Sequence, residues 1–319
     1  MKFWIVTPSY NSLAWLKRCL PSVCDQAGKA VHVHHHVQDA ASADGTQEYL
    51  KDYAERIAKD SSLNGIYSFS YTSEKDNGMY DAINRGWDKA GDDVDILAHL
   101  NCDEQYLSDA LVKVAAYFER HTDNDVVFAD MVVVDKNGGY ICHRRALSPY
   151  ALTSRFCCAG FTATTFQRRD VFKKKNIRFD TRWRNFGDKV WYNALHKAGC
   201  RFGILHEMTS VFTDTGANMN WTEEGLLEQQ RYKKEFLHGM GFGVSLVVKL
   251  SAPRRWLLEQ WLTPPKTYSL FWDSDTKRDM RSIQSPTGFW HKRFPTKDLT
   301  AKDFNRKGRK GFARDAKKV

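Results

Sequence analysis

The sequence predicts an α/β fold: a mixed, mainly parallel sheet flanked by helices, followed by a basic, aromatic-rich C-terminal extension. Three observations predict it. Short apolar runs alternate with stretches of helical spacing through the first 135 residues, the pattern of βαβ units. Polar and acidic residues gather just after those runs, at Thr7 to Asn11, Asp39, Ser73 to Gly78 and Asp103, where ligands sit in such sheets. Hydrophobic residues make up 42% of the 319, enough for a sizeable core and too many for wholesale disorder.

The elements follow in order. Phe3 to Val6 is an apolar run ended by Thr7-Pro8-Ser9, a buried strand. Leu13, Leu16, Leu20 and Val23 have helical spacing, with Asn11 or Ser12 as N-cap. Val31 to Val37 is a second strand, Asp39 to Thr46 a polar turn, and Gln47 to Ala58 a helix. Ile66 to Tyr71 alternates as a strand does, and Gly78 to Ala90 reads as a helix. Asp95 to Leu100 is a buried strand and Leu107 to Glu119 a helix, and strands follow at 126–128 and 131–134. Asp188 opens a helix with Val190, Trp191, Ala194 and Leu195 on its apolar side.

The 48 Lys+Arg against 38 Asp+Glu give a formal net charge of +10. Residues 241–319 hold 18 basic and 7 acidic residues, so the body is close to neutral and the tail strongly basic. Such a block suits an anionic partner, either membrane headgroups, nucleic acid or an acidic polymer, or else only aids solubility. Seven cysteines without a Cys-x-x-Cys pair argue against a disulfide framework or a zinc knuckle, and fit a reducing cytoplasm. No run is long and apolar enough to span a bilayer, and the N-terminus breaks too early for a secretory signal.

Four constellations can carry chemistry. Tyr10 and the stiff Pro8 turn offer a surface for a planar base, and Asp39 can accept from an imide N–H such as that of uracil; turn chemistry alone also explains them. Ser73 to Gly86 places carboxylates and a glycine at a strand end that opens a helix, with Asn84 two turns in; this suits phosphate or a plain helix cap. Asn101-Cys102-Asp103-Glu104 sets adjacent carboxylates at a strand terminus, hard ligands for Mg2+ or Mn2+. Asp188, among aromatics at a helix start, can serve as a general base or as an N-cap. His32, His34 and His36 share a strand face, but neighbours on one face point in parallel and do not converge on a metal. Cys157-Cys158 read as buried thiols without an activating base.

In this order and spacing, the motifs resemble the family 2 inverting glycosyltransferases of the GT-A fold, a Rossmann-like architecture. The similarity runs from about Phe3 to Asn218, and is greatest to bacterial enzymes that build colanic acid and other surface polysaccharides. Ser73-Glu74-x-Asp76-x-Gly78-x-Tyr80-Asp81-Ala82-x-Asn84-x-Gly86 is the distinctive string. Thr7 to Asn11 matches the family's "TPSYN", Ala41 to Thr46 its "GSTDGT" with two positions changed, and Asn101 to Glu104 its "NSDD" with Glu in the last place. The resemblance implies that Pro8, Tyr10 and Asp39 hold the nucleotide base, and that Asp76 and Asn84 line ribose and phosphates. It implies Asp103 as ligand of Mn2+ or Mg2+ with Glu104 nearby, Asp188 as catalytic base, and an acceptor loop at Phe161 to Arg169. His206 and Thr213 to Asn218 fall where a segment folds over the donor, and His206 is a third metal candidate; the stretch departs from the usual Gly-Gly-x-Ser. The implied donor is a nucleotide-sugar, UDP fitting Asp39 although dTDP carries the same imide.

A GT-A domain is expected over 1–225, a helical, amphipathic membrane- or acceptor-associated extension over 226–295, and a basic, disordered tail over 296–319. Aromatics and paired arginines in 241–262 suit an interfacial segment, and a glycan or polyprenyl-linked acceptor on an anionic membrane surface accounts for the tail. The expected location is cytoplasmic, peripheral on the inner face of the cytoplasmic membrane, with no nucleic-acid partner. Three other readings compete: a nucleotide-sugar-binding module without turnover, a nucleic-acid binder acting through the basic-aromatic tail, and a retaining transferase on the same fold.

Overall fold

The computed structural model describes residues 1–147, 160–216, 222–237, 265–288 and 290, with isolated positions at 246, 250, 253 and 257. Met1–Gly288 form one compact unit. The vicinal pair Cys157-Cys158, most of the amphipathic stretch 241–262 and the tail from 291 lie outside the described residues.

The first half follows the predicted order. Strand β1 (Lys2–Ser9) lies between β2 (His32–Asp39) and β4 (Ile96–His99), and β3 (Tyr67–Ser73) flanks β2, all parallel. Helices α1 (Leu13–Cys24), α2 (Thr46–Lys59) and α3 (Met79–Asp88) make the crossovers. A parallel strand covered on both faces is apolar on both. Phe3 and Ile5 of β1 therefore pack with Cys19 and Val23 of α1, whereas Trp4 and Val6 pack with Tyr80, Ile83 and Trp87 of α3. Gly86 lets α3 close on β1, since a Cβ there would stand 2.5 Å from Val6.

The second half is mixed. After β5 (Glu104–Tyr106) and α4 (Ala110–Arg120) come β6 (Val126–Asp135) and β7 (Tyr140–Arg144). Then follow β8 (Thr165–Arg168), α5 (Arg169–Lys173), α6 (Gly187–Lys197), β9 (Phe202–Asp214) and α7 (Glu223–Leu237). The main sheet runs β3-β2-β1-β4-β8-β6-β9-β5, with β7 on β6. The segments read as separate strands at 126–128 and 131–134 are one strand. Asp130 does not break it, because its buried carboxylate accepts from the Ala146 N–H (2.8 Å) and the Arg145 Nε–H (3.1 Å).

Within the extension expected at 226–295, the described residues include α7 and an antiparallel hairpin, β10 (Thr267–Leu270) with β11 (Asp279–Ser282), rather than helix alone. The hairpin is tied to the sheet. The Gln105 amide donates to the Phe271 carbonyl (3.0 Å) and accepts from its N–H (2.7 Å). Arg278 lies over the Phe271 ring and forks onto Asp25 at 2.5 and 2.8 Å.

Candidate active site

The parallel register places Ser9 beside Asp39 and Asp39 beside Ser73, so the loops leaving β1, β2 and β3 share one sheet edge. Asp39 is fully buried there and accepts from the Ser42 N–H (3.0 Å), the Ser42 hydroxyl (2.5 Å) and the Ser73 hydroxyl (2.6 Å). Asn11, with φ +46°, donates its N–H to Ser42 Oγ (2.7 Å) and accepts from the Ala43 N–H (2.9 Å). Asp44 accepts from the Leu13 N–H (3.0 Å) and the Thr46 hydroxyl (2.6 Å), fixing the starts of α1 and α2. These ties hold the two loops together while leaving the Tyr10 ring 65% exposed beside them, at the turn that follows Pro8.

The fourth strand ends at the same edge. Asn101 to Glu104 turn tightly: the Glu104 N–H donates to the Asn101 carbonyl, and Glu104 Oε2 accepts from the Asn101 N–H (2.9 Å). Burial pushes both carboxyls up, and the neighbouring Asp103 pushes Glu104 further. Neither has an ion-pair partner among the described residues, and Asn101 Oδ1 is buried without a hydrogen bond. Two uncompensated carboxylates and an orphaned amide oxygen form a hard-oxygen set that fits a divalent cation. No third His, Cys, Asp or Glu joins them among the described residues. His206 lies elsewhere: it sits where β9 bulges off β6, with Nδ1 3.5 Å from Asp130, whereas the β9 residue paired with Glu104 is Phe212. Of the three metal candidates, the structure thus brings together Asp103 and Glu104 and leaves His206 with Asp130.

The second and fourth constellations meet in one cleft of about 370 Å³. It is lined by Asp76 to Asp81 at the start of α3, by Thr181 and Trp183 to Asn185 before α6, and by Glu224 of α7. Gly78, at φ +106°, turns the chain into α3, and its N–H donates to Asp76 Oδ1 (2.8 Å). Burial lifts the Asp76 pKa. Arg85 pairs with Asp81 (2.8 Å) and Glu74 (3.2 Å). Asn84 is bracketed by the Phe179 backbone, donating to its carbonyl (2.9 Å) and accepting from its N–H (3.1 Å). That bond pair fastens α3 to the irregular segment leading into α6.

Tyr80 links the cleft to Asp188. Its buried ring stacks on Phe179 at 4.9 Å, and its hydroxyl accepts from the Asp188 N–H (3.1 Å). Asp188 Oδ1 takes the Lys189 N–H (2.6 Å). Burial is the first cause holding the Asp188 carboxyl above its ordinary range, and the Glu228 charge adds to it, while the Lys189 N–H and ammonium work against both. A carboxylate whose pKa is raised this way is a better base than a solvated one. Glu228 itself caps the approach to α6: it accepts from the N–H groups of Arg184 (2.7 Å), Asn185 (2.8 Å) and Phe186 (2.9 Å). No local pattern marks this role, since a Glu in an amphipathic helix forty residues away looks like any solvated helix residue.

His34, His35 and His36 of β2 have other partners. His34 and His36 are held by Ser68 and Ser70 hydroxyls at 2.7–2.8 Å, His35 bridges Thr7 and Tyr67, and His34 stacks on Trp4 at 3.9 Å.

Comparison with known proteins accords with this geometry. Residues 4–209 match the family described as Glycosyl transferase family 2. The chain belongs to that family. A "PGL/p-HBAD biosynthesis glycosyltransferase" of Mycobacterium bovis is 29% identical over 136 residues, covering 42% of this chain and 48% of the relative. The chain thus spans about half the length of the curated relatives it matches. S. aureus TarS 1-349 in complex with UDP-GlcNAc shares the fold at TM-score 0.56 and 19% identity, over 74% of this chain and 66% of that one. The mannosyltransferase PcManGT from Pyrobaculum calidifontis, in complex with GDP-Man and Mn2+, aligns at TM-score 0.50 and 13% identity, over 79% and 75% of the two chains. The α/β fold and glycosyltransferase class expected from the sequence stand on these matches.

Proposed function

We propose that this chain transfers a sugar from a UDP-sugar to a hydroxyl of a glycan or lipid-linked acceptor, with inversion, in the synthesis of a bacterial surface polysaccharide. The observation that carries the reading is the convergence on one cleft of the α3 start and the segment that leads into the Asp188 helix, with Tyr80 joining the cleft to Asp188, in a family 2 fold. UDP is the donor nucleotide that suits Asp39, and TarS is known in complex with UDP and UDP-GlcNAc. The mycobacterial relatives are named for PGL/p-HBAD biosynthesis.

In this reading, Tyr10 lies against the base and Asp39, itself held by Ser42 and Ser73, accepts the imide N–H. Asp76 binds the donor where α3 begins, and Asn84 holds that helix in place. Asp103 and Glu104 would hold Mn2+ or Mg2+, which when bound neutralises the diphosphate leaving group. Asp188 takes the proton of the acceptor hydroxyl as its oxygen attacks the anomeric carbon. The bond from that carbon to the diphosphate oxygen breaks on the opposite face, so a single displacement inverts the configuration. We assign catalysis to 1–225, membrane or acceptor contact to 226–295, and electrostatic attraction to the tail from 296, at the inner face of the cytoplasmic membrane. No helix among the described residues is long and apolar enough to cross a membrane.

A donor panel tests the reading. UDP-, dTDP- and GDP-sugars are scored for nucleotide release with Mn2+ or Mg2+, with and without membrane lipid extract, and the product's anomeric configuration is read by proton NMR. The proposal expects release from a UDP-sugar, stimulation by metal and lipid extract, and inversion. Retention, or no release from any donor while oligonucleotides bind in a salt-sensitive way, would overturn it.

A further inference from the structure

The family match ends at residue 209, yet the helix start that presents Asp188 is organised by a residue beyond it. Segment 184–186 runs into α6 and would otherwise expose three successive backbone donors. One carboxylate, Glu228 of α7, takes all three at 2.7, 2.8 and 2.9 Å. An anion at a helix N-terminus satisfies orphan N–H groups and complements the helix dipole. Here the anion comes from another helix, so it also fixes where α6 stands.

The rest of the α7 contact is built around that bond set. The Tyr232 hydroxyl meets the Asn193 amide, the Arg231 guanidinium lies 4.3 Å from the centre of the Trp183 ring, and Tyr232 and Leu237 share a buried cluster with Trp183 and Val190. Glu224, on the same helix, lines the cleft. From the other side, Tyr80 accepts the Asp188 N–H. The α6 start is therefore gripped between α3 and α7, with Asp188 two residues past the last N–H that Glu228 holds.

We propose that Glu228 is a positioning residue for Asp188, and that α7 is part of the catalytic unit, which moves that unit's end from residue 225 to Leu237. This rests on Asp188 being the base. Glu228 acts in two ways, by holding the backbone donors and by placing a negative charge near the Asp188 carboxyl. A purely structural cap would do only the first.

The test separates them. Asp188 is followed by 13C NMR titration in full-length protein labelled at aspartate Cγ, its resonance assigned by Asp188→Asn. The variants are Glu228→Gln, close to isosteric, Glu228→Ala, and Glu235→Gln as a control on the same helix. Removing a negative neighbour lowers a carboxyl pKa, so Glu228→Gln is expected to move the Asp188 midpoint down, with Glu235→Gln unchanged. In the nucleotide-release assay with UDP-GlcNAc, Glu228→Ala should lose about ten- to a hundredfold in kcat, with KM for the donor within about twofold. The acidic limb of the Glu228→Gln profile should shift to lower pH. An unmoved midpoint together with unchanged kcat would overturn the inference while leaving Asp188 as base. Should Asp188→Asn turn over at the wild-type rate, the reading beneath it falls, whatever the NMR shows.

Discussion

At the scale of single residues, the cleft is built from close fits. A Cβ on Gly187 would stand 2.5 Å from the Tyr80 ring, whose hydroxyl holds the Asp188 N–H. Gly187→Ala must therefore displace Tyr80 or the start of α6. We expect at least about a tenfold loss of transfer with the nucleotide Kd little changed, measured by product formation and calorimetry; wild-type transfer would show that the contact is slack. Asp103→Ala removes one of the two uncompensated carboxylates. It should weaken UDP binding in the presence of Mn2+ and leave metal-free binding as it was; unaltered Mn2+ dependence would exclude Asp103 from the metal set. Pro8, Tyr10, Asp39, Asp76, Asp103 and Asp188 were all legible as candidates, because each closes or follows a strand or opens a helix. Two contributions were not. Asn84, read from the sequence as a ribose or phosphate contact, is bracketed by the Phe179 backbone, ninety-five residues on, and Glu228 acts on the backbone of 184–186. Contacts of that range leave no local pattern.

At the scale of elements, strands buried on both faces read directly as apolar runs, and their crossover helices as amphipathic ones. The second half defeated the same method. Strand β9 carries Thr209 and Ser210 in its interior, and their polarity masks a strand. The partners that make it tolerable, the Asp130 carbonyl for Thr209 and the Ala163 carbonyl for Ser210, are distant in sequence. Strand β2 carries a histidine row with a consequence for pH. Burial holds His35 at about 3 and His36 at about 4, below the ordinary 6.5. The unfolded chain therefore binds protons below pH 6.5 that the folded chain refuses, so this contribution to stability is full above 6.5 and is lost as pH falls toward 3. The raised carboxyls of Asp103 and Glu104 work in the opposite sense, so a difference isolates the ring. His35→Gln should be less stable than wild type at pH 7.5, and the gap should narrow by up to about 1.4 kcal/mol per pH unit below 6.5. Urea unfolding checks this; a gap that holds or widens contradicts it.

At the scale of the whole molecule, the net charge of +10 divides into a near-neutral body and a basic C-terminal stretch. The candidate site runs the other way, with Asp39, Asp76, Asp103, Glu104 and Asp188 at strand ends and helix starts. On the proposed reading, the positive charge bears on where the protein works rather than on its chemistry. If the tail draws the chain to an anionic surface, full-length protein should co-sediment with vesicles containing phosphatidylglycerol and not with neutral phosphatidylcholine. Binding should drop steeply between 50 mM and 500 mM salt, as roughly 1 kcal/mol per basic residue near the surface is screened. Equal binding to both vesicles would remove charge as the cause.

The central claim is that Asp188 is the base of an inverting transfer, and Asp188→Asn tests it most directly. The variant keeps the size of the side chain and its place at the start of α6 but cannot take the acceptor's proton. Its transfer rate is measured beside its affinity for UDP. The account predicts a loss of transfer of about a thousandfold or more, with UDP affinity within about twofold of wild type. Near-wild-type transfer by Asp188→Asn would contradict it.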